Sequence, residues 1–482
     1  MKAKLNLQRK HFIFCGNRHF KAQSKNQWLS LSADLCAGAE ESQVLEVGQR
    51  GQTTSGLQLT RHSQRKKKSM KKFSIYVVLA IAAALPALVM RVAGFHLAPV
   101  LDTLLFGVAI LGAGFLLSWG AEAAEGHVSQ GLALAVLALV TVLPEYAVDV
   151  YYTLQAGRHP DSHYVEFAAA NMTGANRLLI GMAWPLIVLL FWWRSGKRAV
   201  PLSWENSAEI SYLALASIYS FVITLKGRID LFDTFFLAAI FAAYLWRVSK
   251  LPKSEDDDDD DDEVGPATAL RELPKRLQYA IMAALTIVAA GVILAVAQPF
   301  AESLIATGEH LGINKFLLIQ WVAPLAGEAP EIIICVLFTL SLKPRAALGA
   351  LISDKINQWT LLVGFIPLFY SIGAGHLSVF PLDARQHEEF FLTAAQSLFA
   401  VALLLRLRLS LPSALVLLGL FGLQIGLAFA FHSNEARSIE FLNGLAWVYL
   451  VLAALLLAWN RVALAKIAGI GLLNRPLEAE KL

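Results

Sequence analysis

The chain has 482 residues, of which 56% are apolar and only 16% charged, against about 45–50% and 25% in a soluble globular domain. A mean hydropathy of +0.54 excludes a disordered chain, a coiled coil and a disulfide scaffold, and it argues against an ordinary soluble enzyme. The formal net charge of +4 conceals an unbroken acid run from Glu255 to Glu263, and the bases lie between apolar stretches, where they mark membrane topology and not nucleic acid binding.

Residues 1–72 are polar, basic and aperiodic, ending in the run from Arg61 to Lys72. They read as a disordered extension, or as a segment ahead of a start at Met70. Apolar runs of roughly 20 residues then follow, long enough to cross about 30 Å of hydrocarbon. Twelve are expected, at about 73–93, 99–123, 128–155, 164–193, 207–225, 230–248, 277–308, 314–342, 345–372, 388–406, 410–432 and 440–460. Each should be a helix, because lipid satisfies no backbone polar group. Bases such as Arg194, Lys197 and Arg198, Arg247 and Lys250, Lys343 and Arg345, and Arg406 and Arg408 fall in alternate loops. The opposite loops carry mostly single bases, with Lys226 and Arg228 as the one pair. The positive-inside rule therefore puts both termini in the cytoplasm, and an integral protein of a prokaryotic cell membrane is expected. The acidic stretch over 250–275 reads as a solvated linker that divides the chain near its middle.

Polar groups inside spans are costly and usually functional. Two places concentrate them. Leu137 to Val150 contains Pro144-Glu145, and Ala323 to Val336 contains Pro330-Glu331. Proline removes a helical hydrogen bond, so a carboxylate beside it can join freed carbonyls as hard oxygen ligands for a cation. Each such helix precedes a second polar one, Phe167 to Gly181 and Ala346 to Gly364. Spans two to six and seven to eleven thus form two five-helix units. An odd count makes them enter the membrane from opposite sides, the inverted repeat of many secondary transporters. The expected fold is an all-α membrane protein with one extra helix at each end. Its segments are 73–98 for the first extra helix, 99–249 and 276–433 for the repeats, and 434–482 for the last helix and tail.

At these residues the sequence resembles the cation/calcium exchanger superfamily, whose two inverted repeats each carry a GTSLPE-like and a GNxxGSNxxD-like motif. The resemblance covers about residues 99 to 432, including the Gly312 to Lys315 lead-in. It implies alternating-access exchange of Ca²⁺ or a similar cation against Na⁺ or H⁺, with inorganic cations as substrates, no cofactor and no enzymatic step. Carried over by position, Glu145 and Glu331 match the two ion-binding glutamates, Thr141 a motif threonine, and Asn171 and Asn176 the motif asparagines. The departures are many. Val142 and Ala175 take serine positions, and Leu179 stands where a polar ligand is expected. Gly327 and Glu328 replace a Thr-Ser pair, and Ala350 an asparagine. Asp354, Lys355 and Gln358 take a serine, an asparagine and the last acid. A shift of one residue would use Ser353 and Asn357 instead. Asp149 and Glu328 share helical faces with Glu145 and Glu331 and are further candidate ligands. The deep bases Arg177 and Lys355 are expected to pair with Glu331, Glu328, Glu145 or Asp354, since an unpaired charge there costs at least about 3 kcal/mol. Either could occupy a place where the family binds sodium, which would leave a proton-coupled or non-transporting protein of the same fold. An intramembrane protease is disfavoured, because no HExxH or GxSxG occurs in a suitable context and the paired acids are glutamates.

Overall fold

A computed structural model describes residues 70–124, 142–251, 268–271 and 273–473. The helices, numbered in chain order, are α1 (Met70–Ala93), α2 (Pro99–Ala124), α3 (Leu143–Arg158), α4 (Tyr164–Ser195), α5 (Ser207–Lys226) and α6 (Leu231–Val248) in the first half. They continue as α7 (Lys275–Leu311), α8 (Lys315–Leu340), α9 (Pro344–Ala374), α10 (Ala384–Leu404), α11 (Leu411–Ala430), α12 (Glu435–Trp459) and α13 (Arg461–Leu473). Among the described residues ten helices are long and apolar enough to cross a membrane. The other two expected spans also have helices. α3 shows only 16 residues, its expected first half lying outside the described residues, and α10 carries Arg385, Glu388 and Glu389. α13 was not expected. Residues 1–69 of the basic extension, the acidic run and Thr141 lie outside the described residues, and Met70 to Lys72 belong to α1.

Helix ends follow from local chemistry. Asp230 and Asp383 each close a capping box at the starts of α6 and α10, satisfying amides a helix cannot satisfy itself. Against the desolvation that raises it, hydrogen bonds from Lys226 and the amides of Asp233 and Phe232 hold the Asp230 carboxyl below its ordinary range. Gly196 and Gly375 end α4 and α9 in the left-handed region at φ of 73° and 74°, which suits a residue without Cβ.

Four short strands show the symmetry. β1 (Ala199–Pro201), between α4 and α5, pairs with β4 (Arg408–Ser410), between α10 and α11. β2 (Arg228–Ile229), between α5 and α6, pairs with β3 (Phe380–Pro381), between α9 and α10. Pro201 faces Arg408 in one pair and Pro381 faces Arg228 in the other; Val200 faces Leu409 as Phe380 faces Ile229. The same register therefore recurs on opposite faces of the bundle with the halves exchanged. β1–β4 lies on the face that also carries Arg194, Lys197 and Arg198, here termed the basic face. Each second polar helix also contains one π-helical stretch, Leu179–Ala183 in α4 and Gln358–Leu362 in α9.

Packing obeys the same symmetry. α2 lies along α7, joined by the buried Thr103–Thr307 hydroxyl pair at 2.9 Å. α4 crosses α8 as α9 crosses α3. At the first crossing Gly174 stands directly against the Gln320 carbonyl, and that oxygen is free of a helical donor because Pro324 has no N–H. The second crossing brings Gly157 and Gly373 onto each other's backbones. Small residues of this kind let membrane helices approach closely. α12 covers α10, and α13 covers α5, held by Arg247 donating to the carbonyls of Gly471 at 2.9 Å and Ile470 at 2.8 Å.

Candidate functional site

Pro144 lies in the first turn of α3, where a missing N–H is no loss. The stretch of this span expected ahead of Pro144 lies outside the described residues, whereas Pro330 sits within α8. Glu145 follows in that turn and is buried against α8. A Cβ on Gly327 would stand 2.9 Å from the Glu145 Cγ, so the glycine gives the carboxyl its room. The π stretch of α9 presents Gln358, whose amide donates to Glu145 Oε2 at 3.1 Å and to Glu328 Oε1. The carboxyls of Glu145, Glu328, Glu331 and Asp354 lie close enough to act on one another electrostatically. Four carboxyls from three helices are thus gathered between the repeats. One oxygen each of Glu328 and Glu331 has no hydrogen-bond partner.

The remaining candidates form a surround. Asn171 donates to Asp149 at 2.6 Å, one turn along α3 from Glu145. Tyr146 donates to Asn357 Oδ1 at 3.2 Å. Lys355 is fully buried. Its ammonium donates to Asn176 Oδ1 at 2.6 Å and lies 4.4 Å from the Trp359 ring centroid. Placing the two π stretches in register makes Lys355 the counterpart of Asn176, so equivalent positions touch across the repeats. It also puts Gln358 at the position of Leu179 and favours the first of the two sequence registers. Ser353 faces away from the carboxyls, bonded to Tyr244 at 2.8 Å.

The expected pairing of the two bases is corrected. Neither forms an ion pair with Glu145, Glu328, Glu331 or Asp354. Arg177 bonds Glu389 on α10, donates to the Thr173 carbonyl at 3.2 Å and stacks over Trp321 at 5.4 Å. Glu389 also accepts from Gln320 at 2.7 Å and lies 3.1 Å from Arg385. Glu388, fully buried, is 3.6 Å from Arg385. Arg177 points from α4 toward α10, while Lys355, on a differently rotated face of α9, looks back at α4.

A family of sodium/calcium exchanger proteins matches residues 98–250 and 281–430. The chain belongs to the sodium/calcium exchanger family. Among solved structures, this exchanger is similar to an H⁺/Ca²⁺ exchanger, CAX, with 38% identity, a TM-score of 0.76 and coverage of 83% of this chain and 97% of that one. It also shares the fold of YfkE at 12% identity and a TM-score of 0.52, covering 73% of this chain and 98% of that one. A sodium-calcium exchanger, NCX_Mj, aligns at 15% identity and a TM-score of 0.48, over 68% and 98% of the two chains. No curated protein matches.

Among the described residues of the exchanger, no three His, Cys, Asp or Glu side chains are disposed to hold a metal ion. Gln358 donates to the Glu145 and Glu328 carboxyls. Two neighbouring carboxyls can share a proton, since the protonated one donates and the ionised one accepts, and the ionised groups can take a hard cation once carbonyl oxygens add to them. Sequence reading missed Glu388 and Glu389. The available signal was an aligned Pro-Leu start: Pro201-Leu202 leads to Glu209 on α5, and Pro381-Leu382 leads to Glu389 on α10 at the same spacing.

Proposed function

We propose that the protein exchanges Ca²⁺ for protons across the membrane by alternating access and does not use sodium. Glu145, Glu328, Glu331 and Asp354 supply the carboxylates, with Asn171, Asn176, Asn357 and Asp149 around them. Glu145 and Glu331 are the metal-contacting pair, and Thr141 is a further ligand. The observation that carries this reading is Lys355. A fixed ammonium stands against Asn176, beside the carboxyl cluster, where it takes the room and charge of a monovalent cation. A buried lysine is retained there by the Asn176 oxygen and by the Trp359 ring, the latter worth about 2 kcal/mol when desolvated. The chain's 38% identity to an H⁺/Ca²⁺ exchanger supports the same counter-ion. Protons on paired carboxyls neutralise the cluster. Two positive charges on Ca²⁺ replace them, so the site is never left as several bare buried anions, which burial penalises heavily.

The test is ⁴⁵Ca²⁺ uptake into proteoliposomes with Ca²⁺, Na⁺ and pH gradients imposed one at a time. An outward proton gradient should drive uptake without sodium, and a sodium gradient alone should not. Lys355→Ala should raise the dependence on sodium. Strictly sodium-driven uptake in the wild type, indifferent to pH, contradicts the reading.

A further inference from the structure

The strand register makes one turn of the chain comparable on both faces. Arg228 of β2 and Arg408 of β4 are counterparts, each facing a proline across its strand pair. Two residues earlier stand Lys226 and Arg406. Between them lie Gly227 and Leu407, both in the left-handed region at φ of 63° and 49°, where a residue with a Cβ is uncommon. Their carbonyls accept from equivalent amides, Leu382 at 3.1 Å and Leu202 at 2.8 Å. The helices that follow, α6 and α11, are capped by Asp230 and Ser410.

The backbone is thus repeated, but the charge balance is not. In the first half Lys226 pairs with Asp230 at 3.1 Å and with Asp233 at 2.6 Å, and Arg228 lies 3.8 Å from Asp230. In the second half both acids are replaced by serines, Ser410 and Ser413, whose hydroxyls bond each other at 2.8 Å. Arg406 donates to Asn460 at the end of α12 at 2.9 Å. Among the described residues neither Arg406 nor Arg408 has a carboxylate at ion-pair distance. A cavity of about 380 Å³ lies there instead, lined by both arginines and both serines.

We infer that this cavity binds the phosphate of an anionic membrane phospholipid at the basic face. Two guanidinium groups suit phosphate oxygens, which accept paired, charge-assisted hydrogen bonds from them. The phosphate supplies the negative charge that Asp230 and Asp233 supply in the first half. The rest of the lining points to a lipid as its source. Leu403, Leu456 and Trp459 also border the cavity, and Trp459 is exposed at the end of its span. Indole rings settle at headgroup level, and basic pockets between spans take anionic headgroups. A free phosphate would leave this apolar border uncovered. Bound lipid would join the ends of α10 and α12 to the start of α11.

The test uses the full chain purified in detergent and titrated with phosphatidylglycerol, phosphatidylcholine or inorganic phosphate. Native mass spectrometry reads bound lipid, and the thermal midpoint is recorded beside it. Phosphatidylglycerol should stay bound and raise the midpoint, and the other two should do neither. Arg406→Gln with Arg408→Gln should weaken phosphatidylglycerol binding about tenfold or more, since each lost bond is to a charged group. Ser410→Asp with Ser413→Asp should weaken it as much, because it installs the acids of the first half, and it keeps α11 capped, since Asp caps as well as Ser. Wild-type retention of phosphatidylglycerol by both double variants overturns the inference. Equal retention of phosphatidylcholine and phosphatidylglycerol by the wild type overturns it too. Stabilisation by inorganic phosphate equal to that by phosphatidylglycerol overturns the lipid as occupant.

Discussion

Two buried bases of this exchanger behave differently for a reason visible at single residues. Arg177 is neutralised by Glu389 and shares it with Arg385, so it belongs to a framework that ties α4 to α10. Lys355 has a neutral oxygen and a ring as partners. Removing one member of a buried pair strands the other, at about 3–5 kcal/mol. Arg177→Met should therefore lower the thermal midpoint of the purified protein sharply, and Arg177→Met with Glu389→Met should restore most of it. Equal melting of the single and double variants with the wild type contradicts the pairing. By contrast, Glu145→Gln and Glu331→Gln should each abolish exchange with the melt little changed. Retained flux in both removes these residues from the site. Glu145, Glu331 and the burial of Lys355 were legible in the sequence because a polar residue in an apolar span stands out. The partner of Arg177 was not. Glu389 sits at the polar start of a span, where an acid looks like a solvated end, and only folding shows that Arg177 of α4 and Gln320 of α8 enclose it.

At the scale of elements, prolines, glycines and π stretches position the cluster. Proline inside α8 was readable, and its counterpart Pro144 opens the described part of α3. The π stretches of α4 and α9 left no local sequence signal; they are fixed by what the helices pack against. The one in α9 turns Gln358 onto two carboxyls. Gly327 is the sharpest test of this geometry. Gly327→Ala places a methyl 2.9 Å from the Glu145 Cγ, closer than a Cβ is found to other atoms. The side chain must shift. Exchange should fall well over tenfold while the helical circular dichroism is unchanged, and wild-type flux in this variant contradicts the placing of Glu145 against Gly327. Gly174→Val should do worse, because its Cβ meets the fixed Gln320 carbonyl at the crossing of α4 and α8; there the expected outcome is loss of folded protein on size-exclusion chromatography.

For the whole molecule, the repeat was legible from two Pro-Glu helices and an odd number of spans in each half. The strand pairs at both faces, with one register exchanged between halves, carry the same symmetry through α5 and α10, within the two five-helix units expected; the pairing itself was not legible, because strands of two and three residues leave no periodic signal. An inverted pair of structures presents the same architecture to both sides of the membrane. The direction of net exchange is set by the ion gradients, and the halves still differ in charge near the start of α5 and α10, where one carries Glu205 and the other Arg385. The central claim is that a carboxyl cluster beside a built-in ammonium trades Ca²⁺ for protons. The most direct measurement is ⁴⁵Ca²⁺ accumulation in sodium-free proteoliposomes under an imposed pH gradient, with the internal pH recorded at the same time. The account expects Ca²⁺ to accumulate as protons leave, and both movements to vanish in Glu331→Gln. Ca²⁺ movement that needs sodium and leaves the internal pH unchanged contradicts it.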